Sequence, residues 1–303
     1  MRISLFGGHD SATVDEAVDR ARTAADDGFD AIWLAQGFHL DALTALAVVA
    51  NRVPDIDLGT AVVPIQGRHP LPLALQAVTV ASAAGRGRFS LGVGVTHQPV
   101  SEHTFGFPYS SAVQLCSEEL ECLAGLFGPE RSADHDGELL TVRGTLMADA
   151  PAPGLLAAAL GPKMLELAGR FTDGTVTWMT GVGTIARDVV PRLAEAARWA
   201  ERPQPRVVVG LPVCVTDDVD DARDRIDDAL TGPSQLASYR RMLEAEGVTR
   251  PVDIALVGDE DAVADLVAKL ELAGASELLA SVQGSPEERA RTRRFLGQLA
   301  RGG

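Results

Sequence analysis

Two short stretches carry residue types suited to holding an anion. Leu160, Gly161, Pro162 and Lys163 directly follow an apolar run. Glycine lets a backbone approach an anion closely, and proline at the first helical position leaves the following amides free at the positive end of the helix dipole. Lys163 sets a cation beside them. Met179, Thr180 and Gly181 end the next apolar run, where a hydroxyl and another amide can join the same anion. Gly-Pro is also a common structural start to a helix, so it is the pairing of the two turns that points to a phosphate. His97, at the end of SLGVGVTH, is the residue best suited to carry a proton, because imidazole titrates near neutrality. The competing role for a histidine at a strand end is to cap a turn.

Other reactive chemistry finds little support. The six histidines (His9, His39, His69, His97, His103, His135) show no HExxH or paired-ligand spacing. Cys116, Cys122 and Cys214 match no metal or redox motif and read as buried or incidental thiols. Asp134, His135 and Asp136 look like a metal cluster, yet they fall in a stretch of Pro, Gly and mixed charge and read as a solvated loop. No metal site is expected.

The elements that must position these groups alternate regularly. Eight short β-branched or apolar runs are expected as strands: Ile3 to Phe6, Ala31 to Leu34, Leu58 to Val63, Phe89 to Val95, Leu155 to Leu160, Thr175 to Met179, Val207 to Val215 and Leu278 to Val282. Helical periodicity follows each one: Val14 to Asp27, Asp41 to Arg52, Pro72 to Ala84, Ser111 to Leu126, Pro162 to Phe171, Thr184 to Trp199, Asp218 to Glu246 with breaks, and Pro286 to Ala300. An extra helix, Asp259 to Ala273, precedes the last strand. Eight βα units predict an α/β fold of the (β/α)8 TIM-barrel type over residues 1–303, with the active site at the C-terminal ends of the strands. Residues 128–153, after the fourth unit, are expected as an insertion over the barrel mouth.

The bulk numbers exclude some partners. Of 303 residues, 46% are hydrophobic, enough for a sizeable core, while 27 Lys plus Arg face 42 Asp plus Glu for a formal charge of −15. Such a field repels a phosphate backbone, so nucleic acid is not an expected partner. No run reaches the roughly 20 apolar residues that span a bilayer, and the opening MRISLFGGHD is too short for a signal segment. A cytoplasmic protein with no membrane partner is the expectation.

Several segments, taken in order, resemble the bacterial luciferase-like superfamily, and within it the branch that uses the 5-deazaflavin coenzyme F420. They are DGFDAIWLAQ (27–36), LGTAVVPIQGRHP (58–70), GRFSLGVGVTHQP (87–99), ALGPKMLELAGRFTDGTVTWMTG (159–181) and GDEDAVADLVAKLELAGASELL (258–279). The resemblance covers nearly the whole chain. It implies a non-prolyl cis peptide between Ala61 and Val62, a backbone buttress behind the coenzyme ring. It also implies that Leu160, Gly161, Pro162, Lys163, Met179, Thr180 and Gly181 hold the coenzyme's phosphodiester. His97 becomes the candidate proton carrier beside the ring, where related dehydrogenases place a Glu, and Gln98 can hydrogen-bond the ring edge.

One strand end departs from the family pattern. Where many members have Asp or Glu followed by His, this chain has Gln36 and Gly37. Gln36 can hydrogen-bond a ring edge but cannot shuttle a proton, which puts the sugar-phosphate dehydrogenase mechanism in doubt. His9 and His39 are left as candidate substrate contacts at the mouth, and the roles of Arg68 and His69 stay open. The implied function is hydride transfer between reduced F420 and an unsaturated (C=C or C=N) small or peptide-like metabolite. Two alternatives stand beside it: an FMN-dependent monooxygenase served by a separate flavin reductase, and a non-catalytic barrel acting as a binding or structural subunit. The resemblance also implies a homodimer paired through barrel helices.

Overall fold

The computed structural model describes residues 1–8 and 10–302. Eight parallel strands form its centre: β1 (Arg2–Phe6), β2 (Ala31–Leu34), β3 (Asp57–Thr60), β4 (Phe89–Gly94), β5 (Gly154–Ala158), β6 (Gly174–Trp178), β7 (Arg206–Val215) and β8 (Glu277–Val282). Each pairs with the next, β8 returns to β1, and the ring is closed as a TIM barrel. Around it stand α1 (Val14–Asp27), α2 (Ala42–Arg52), α3 (Pro70–Ala84), α4 (Ala112–Phe127) and α5 (Pro162–Phe171). Helix α6 opens at Val182–Thr184, passes through a π turn at Ile185–Val189 and continues as Val190–Trp199. The ring is completed by α7 (Val219–Ser234), α8 (Ala237–Glu246), α9 (Glu260–Leu272) and α10 (Pro286–Gly302).

Local chemistry sets these boundaries. Thr13 caps α1 by accepting from the Glu16 amide, and the Glu16 carboxylate reaches back to the Ala12 amide at 2.8 Å, so two orphan donors are satisfied together. Asp41 and Asp259 cap α2 and α9 in the same way. The strands are buried along nearly their whole length, β7 with nine consecutive buried residues after Arg206, which is what helices packed over one face and side chains filling the other require.

The barrel interior is a packed core. Ala31, Trp33, Leu156, Val176, Val208 and Leu279 fill it, with Phe6, Ala61 and Val62 packed on their upper side. Below them a polar network closes the N-terminal end. Glu277, 1% exposed, accepts from Ser4 Oγ (2.5 Å), Trp33 Nε1 (2.9 Å) and Arg206 (2.8 Å), and Arg206 also reaches Ser90 Oγ at 2.9 Å. Both oxygens of that buried carboxylate accept from donors, the condition under which a buried charge is tolerated.

Three expectations need correction. The third strand does not run through to Val63: it stops at Thr60, the Ala61–Val62 peptide is cis, and pairing to β4 resumes at Val63–Pro64. Helix α6 starts two residues before Thr184, since Gly181 rather than a later polar residue occupies its N-cap. None of residues 128–153 lines the cavity at the mouth. The stretch forms an antiparallel hairpin, Ser132–Asp136 with Thr141–Thr145, laid against α4. Its turn is held by the Glu118 carboxylate, which accepts from the amides of Glu138 (3.1 Å), Leu139 (3.0 Å) and Leu140 (2.7 Å). Asp134 and Asp136 therefore lie on a strand, where both pair with Arg143, and not in a loop. Among the described residues no helix is long and apolar enough to cross a membrane.

Candidate active site

A cavity of about 1090 Å³ opens at the C-terminal ends of the strands. On its floor the rings of Phe6 and Trp178 lie 5.6 Å apart. Ala61 and Val62 form one wall, so the cis peptide faces the cavity. The roof comes from the end of α7 (Ala229, Leu230, Pro233) and from Leu236 and Tyr239 at the start of α8, while the exposed rings of Phe38 and Phe105 stand at the rim.

Polar groups are sparse in this wall. His97 follows β4 into the cavity and meets the Tyr239 ring edge-on, centroids 5.1 Å apart at 72°. Desolvation pulls the His97 imidazole below its ordinary value, so it is neutral at pH 7, and burial pushes the Tyr239 phenol up to about 12. Arg68, the full cation of the lining, is already engaged with Asp41 at 2.8 Å and with the Gln76 amide oxygen at 3.0 Å. Burial works to raise the Asp41 carboxyl, but the bonds from Arg68 and Thr44 outweigh it and hold the group below the usual range. The Thr177 hydroxyl, on β6, is buried with no hydrogen-bond partner in the protein, on the strand face opposite to Val176 and Trp178, which point into the barrel. Such an orphan costs stability.

The expected site residues divide clearly. His97, Gln36, Ala61, Val62 and Leu160 line the cavity. Gln36, however, spends its amide on its own loop, donating to the carbonyls of Gly37 (3.0 Å) and Leu40 (3.4 Å) and accepting from the Ala42 amide (2.8 Å). It caps the start of α2 and has no free edge for a ring. Gln98 turns away from the cavity and donates to Glu102 at 3.2 Å. His39 is exposed and outside the lining, and its neighbour Phe38 takes that place. His9 lies outside the described residues.

The two candidate anion turns are side by side, because β5 and β6 pair in register at Ala157↔Thr175 and Ala158↔Val176. The α5 turn is open: Pro162 is its first residue, no side chain caps it, and a β-carbon on Gly161 would meet nothing within 4 Å. Lys163 is exposed beside it. In the second turn Met179 takes a left-handed conformation (φ 54°). Thr180 is fully buried and its hydroxyl bonds the Trp178 carbonyl at 3.3 Å, so it does not face an anion. The donors of that turn are instead the amides of Gly183 and Thr184 and the Thr184 hydroxyl. All three converge on the Glu246 carboxylate, at 2.9, 2.6 and 2.6 Å. A β-carbon on Gly181 would lie 2.3 Å from the Glu246 carboxyl carbon, so only glycine leaves room for this group. The run Gly181-Val182-Gly183-Thr184 was readable as a glycine-rich helix start with a hydroxyl, whereas Glu246, far along the chain, was not.

The family model for luciferase-like monooxygenases matches residues 2–277. The chain belongs to that family. Among its relatives, a 5,10-methylenetetrahydromethanopterin reductase of Methanolobus tindarius is 28% identical over 208 residues, covering 67% of this chain and 62% of that protein. An F420-dependent glucose-6-phosphate dehydrogenase of Rhodococcus erythropolis is 28% identical over 204 residues, 62% of this chain and 60% of that protein. The chain thus spans about three fifths of the length of these relatives. In structure it is similar to an F420-dependent secondary alcohol dehydrogenase in complex with an F420-acetone adduct (TM-score 0.82, 18% identity, 98% and 97% of the two chains). The fold is shared with an FMN-bound type II Baeyer–Villiger monooxygenase component from Pseudomonas putida (TM-score 0.77, 17% identity, 98% and 97%).

Within this luciferase-like chain, Cys116, Cys122 and Cys214 are all buried, and burial pushes their thiols up to about 12, 12 and 11. They are poor nucleophiles at neutral pH.

Proposed function

We propose that the protein is an F420-dependent oxidoreductase that moves a hydride to or from an uncharged, largely apolar metabolite with a C=C or C=N bond. The observation that carries this is the anion seat beside the mouth cavity: the turn after β6 already holds a carboxylate with two amides and a hydroxyl, so its donors are aimed and spaced for an oxyanion. The neighbouring α5 turn, with Lys163, stands open next to it and adds a cation. A phosphodiester shared between these turns would lead a planar ring into the cavity.

When bound, the deazaflavin supplies the hydride donor or acceptor at carbon 5 of its ring. The protein supplies position and proton. Ala61 and Val62 would hold the ring from one wall under the α7–α8 roof, and His97, neutral at pH 7, would take the accompanying proton at an imidazole nitrogen when the metabolite is oxidised and, once protonated, return it in the reverse direction. The cavity is at the upper end of the usual range for small-molecule sites, leaving room for substrate beside a ring. With Arg68 already paired, the wall offers, among the described residues, no free cation to a phosphorylated sugar.

The FMN reading rests on the similarity to an FMN-bound structure of the same fold. Parallel titrations with F420 and FMN, followed by tryptophan fluorescence, separate the two because Trp178 forms part of the cavity floor. Quenching by F420 at micromolar concentration, with FMN far weaker, is the expected result; the reverse order would replace the proposal with the monooxygenase reading, and no response to either would favour a non-catalytic barrel.

A further inference from the structure

Resting on the coenzyme reading above, the geometry points to Glu246 as the resident anion of the phosphate seat. We infer that the coenzyme's phosphodiester must expel this carboxylate, so that Glu246 sets coenzyme affinity and couples loading of the cavity to movement of α8.

The seat is already complete without a ligand. Three charge-assisted bonds run from Gly183 and Thr184 to the Glu246 carboxylate at 2.6 to 2.9 Å, the short distances expected when the acceptor is ionised. Arg187 brings its guanidinium to the same place: it donates to the Ala245 carbonyl at 3.1 Å, and a β-carbon on Gly183 would lie 2.5 Å from its Nη1 and 3.0 Å from Glu246 Oε1. Two helix-start amides and a hydroxyl thus surround one carboxylate, with Arg187 held close by through the Ala245 carbonyl. A phosphodiester oxygen cannot take the same donors while that carboxylate stays, and two anions within a few ångströms repel.

The same helix roofs the ring pocket. Tyr239, which faces His97, and Glu246 are seven residues apart on α8, two helical turns or about 10.5 Å along one face. Met242 and Leu243 are the buried residues between them. The helix is bounded by Leu236 in extended conformation and by Gly247 in the left-handed region (φ 83°), points at which it can swing as a unit. Lifting Glu246 from the seat therefore shifts the surface that Tyr239 presents to the cavity.

The test compares the wild-type chain with Glu246→Gln and Glu246→Ala in two binding measurements. In the first, F420 is titrated and affinity read from fluorescence; both variants should bind at least tenfold more tightly than wild type. In the second, inorganic phosphate is added against chloride at matched ionic strength and the melting temperature is followed. Here the variants should be stabilised at phosphate concentrations at least tenfold below those that act on wild type. Unchanged or weaker binding in Glu246→Gln in both arms overturns the inference. If none of the three proteins takes F420, the coenzyme reading fails, and the phosphate arm still decides the role of Glu246. Should Glu246→Ala fail to fold, the near-isosteric Glu246→Gln carries the comparison.

Discussion

The His97 imidazole stands edge-on to the Tyr239 ring at 5.1 Å, joining the end of β4 to the roof helix α8 across the mouth of the barrel. Edge-to-face pairs of this kind contribute about 0.5–1.5 kcal/mol beyond the area they bury. The contact holds the imidazole half-buried against the roof, and that burial is what lowers its basicity.

If His97 carries the proton, His97→Gln should lower kcat by about 10² to 10⁴ while leaving F420 affinity within a few-fold. Steady-state rates and a binding titration on the same variant check this. A variant with full kcat would leave His97 a purely structural residue.

The same residue has a signature in stability. Its folded pKa lies below the ordinary value of 6.5, so at acid pH the unfolded chain binds the proton more readily than the folded one. The contribution is fully present above 6.5 and is lost as pH falls from there through the lowered folded value. Denaturant midpoints between pH 8 and 5 should therefore fall less steeply for His97→Gln than for wild type.

Thr177→Val removes a hydroxyl that has no partner in the protein. Stability of the ligand-free chain should be unchanged or slightly higher, because a buried unsatisfied group is lost without a bond being broken. Coenzyme affinity should stay within a few-fold, because strand alternation turns this side chain away from the cavity. Urea denaturation checks the first outcome and a calorimetric titration the second; a large loss of stability would show that the hydroxyl has a partner.

At the opposite end of the barrel, Glu277→Ala should cost about 3–5 kcal/mol, since it leaves Arg206, Trp33 and Ser4 without their shared acceptor. Urea denaturation measures it. Coenzyme binding by the folded fraction should be unaffected, the network being separated from the cavity by the barrel core.

The eight βα units, α1 and α5 to the residue, and the adjacency of the turns after β5 and β6 were legible in the amino-acid sequence because their causes are local. Strand burial, helix periodicity, Thr13 as a cap and Pro162 as a helix start each act within a few residues. The family resemblance likewise placed the cis bond at Ala61–Val62. Where side chains point and what they meet was decided only by tertiary contact. Gln36 and Thr180 have suitable chemistry, but the closed barrel turns the first back onto α2 and buries the second against Trp178. Glu246 and Tyr239 carry no local signal at all: they reach the seat and His97 because α8 is laid across the mouth. A hydrogen bond or ring contact between residues distant in the chain depends on the relative placement of whole elements, and that is fixed by packing of the complete barrel rather than by neighbouring residues.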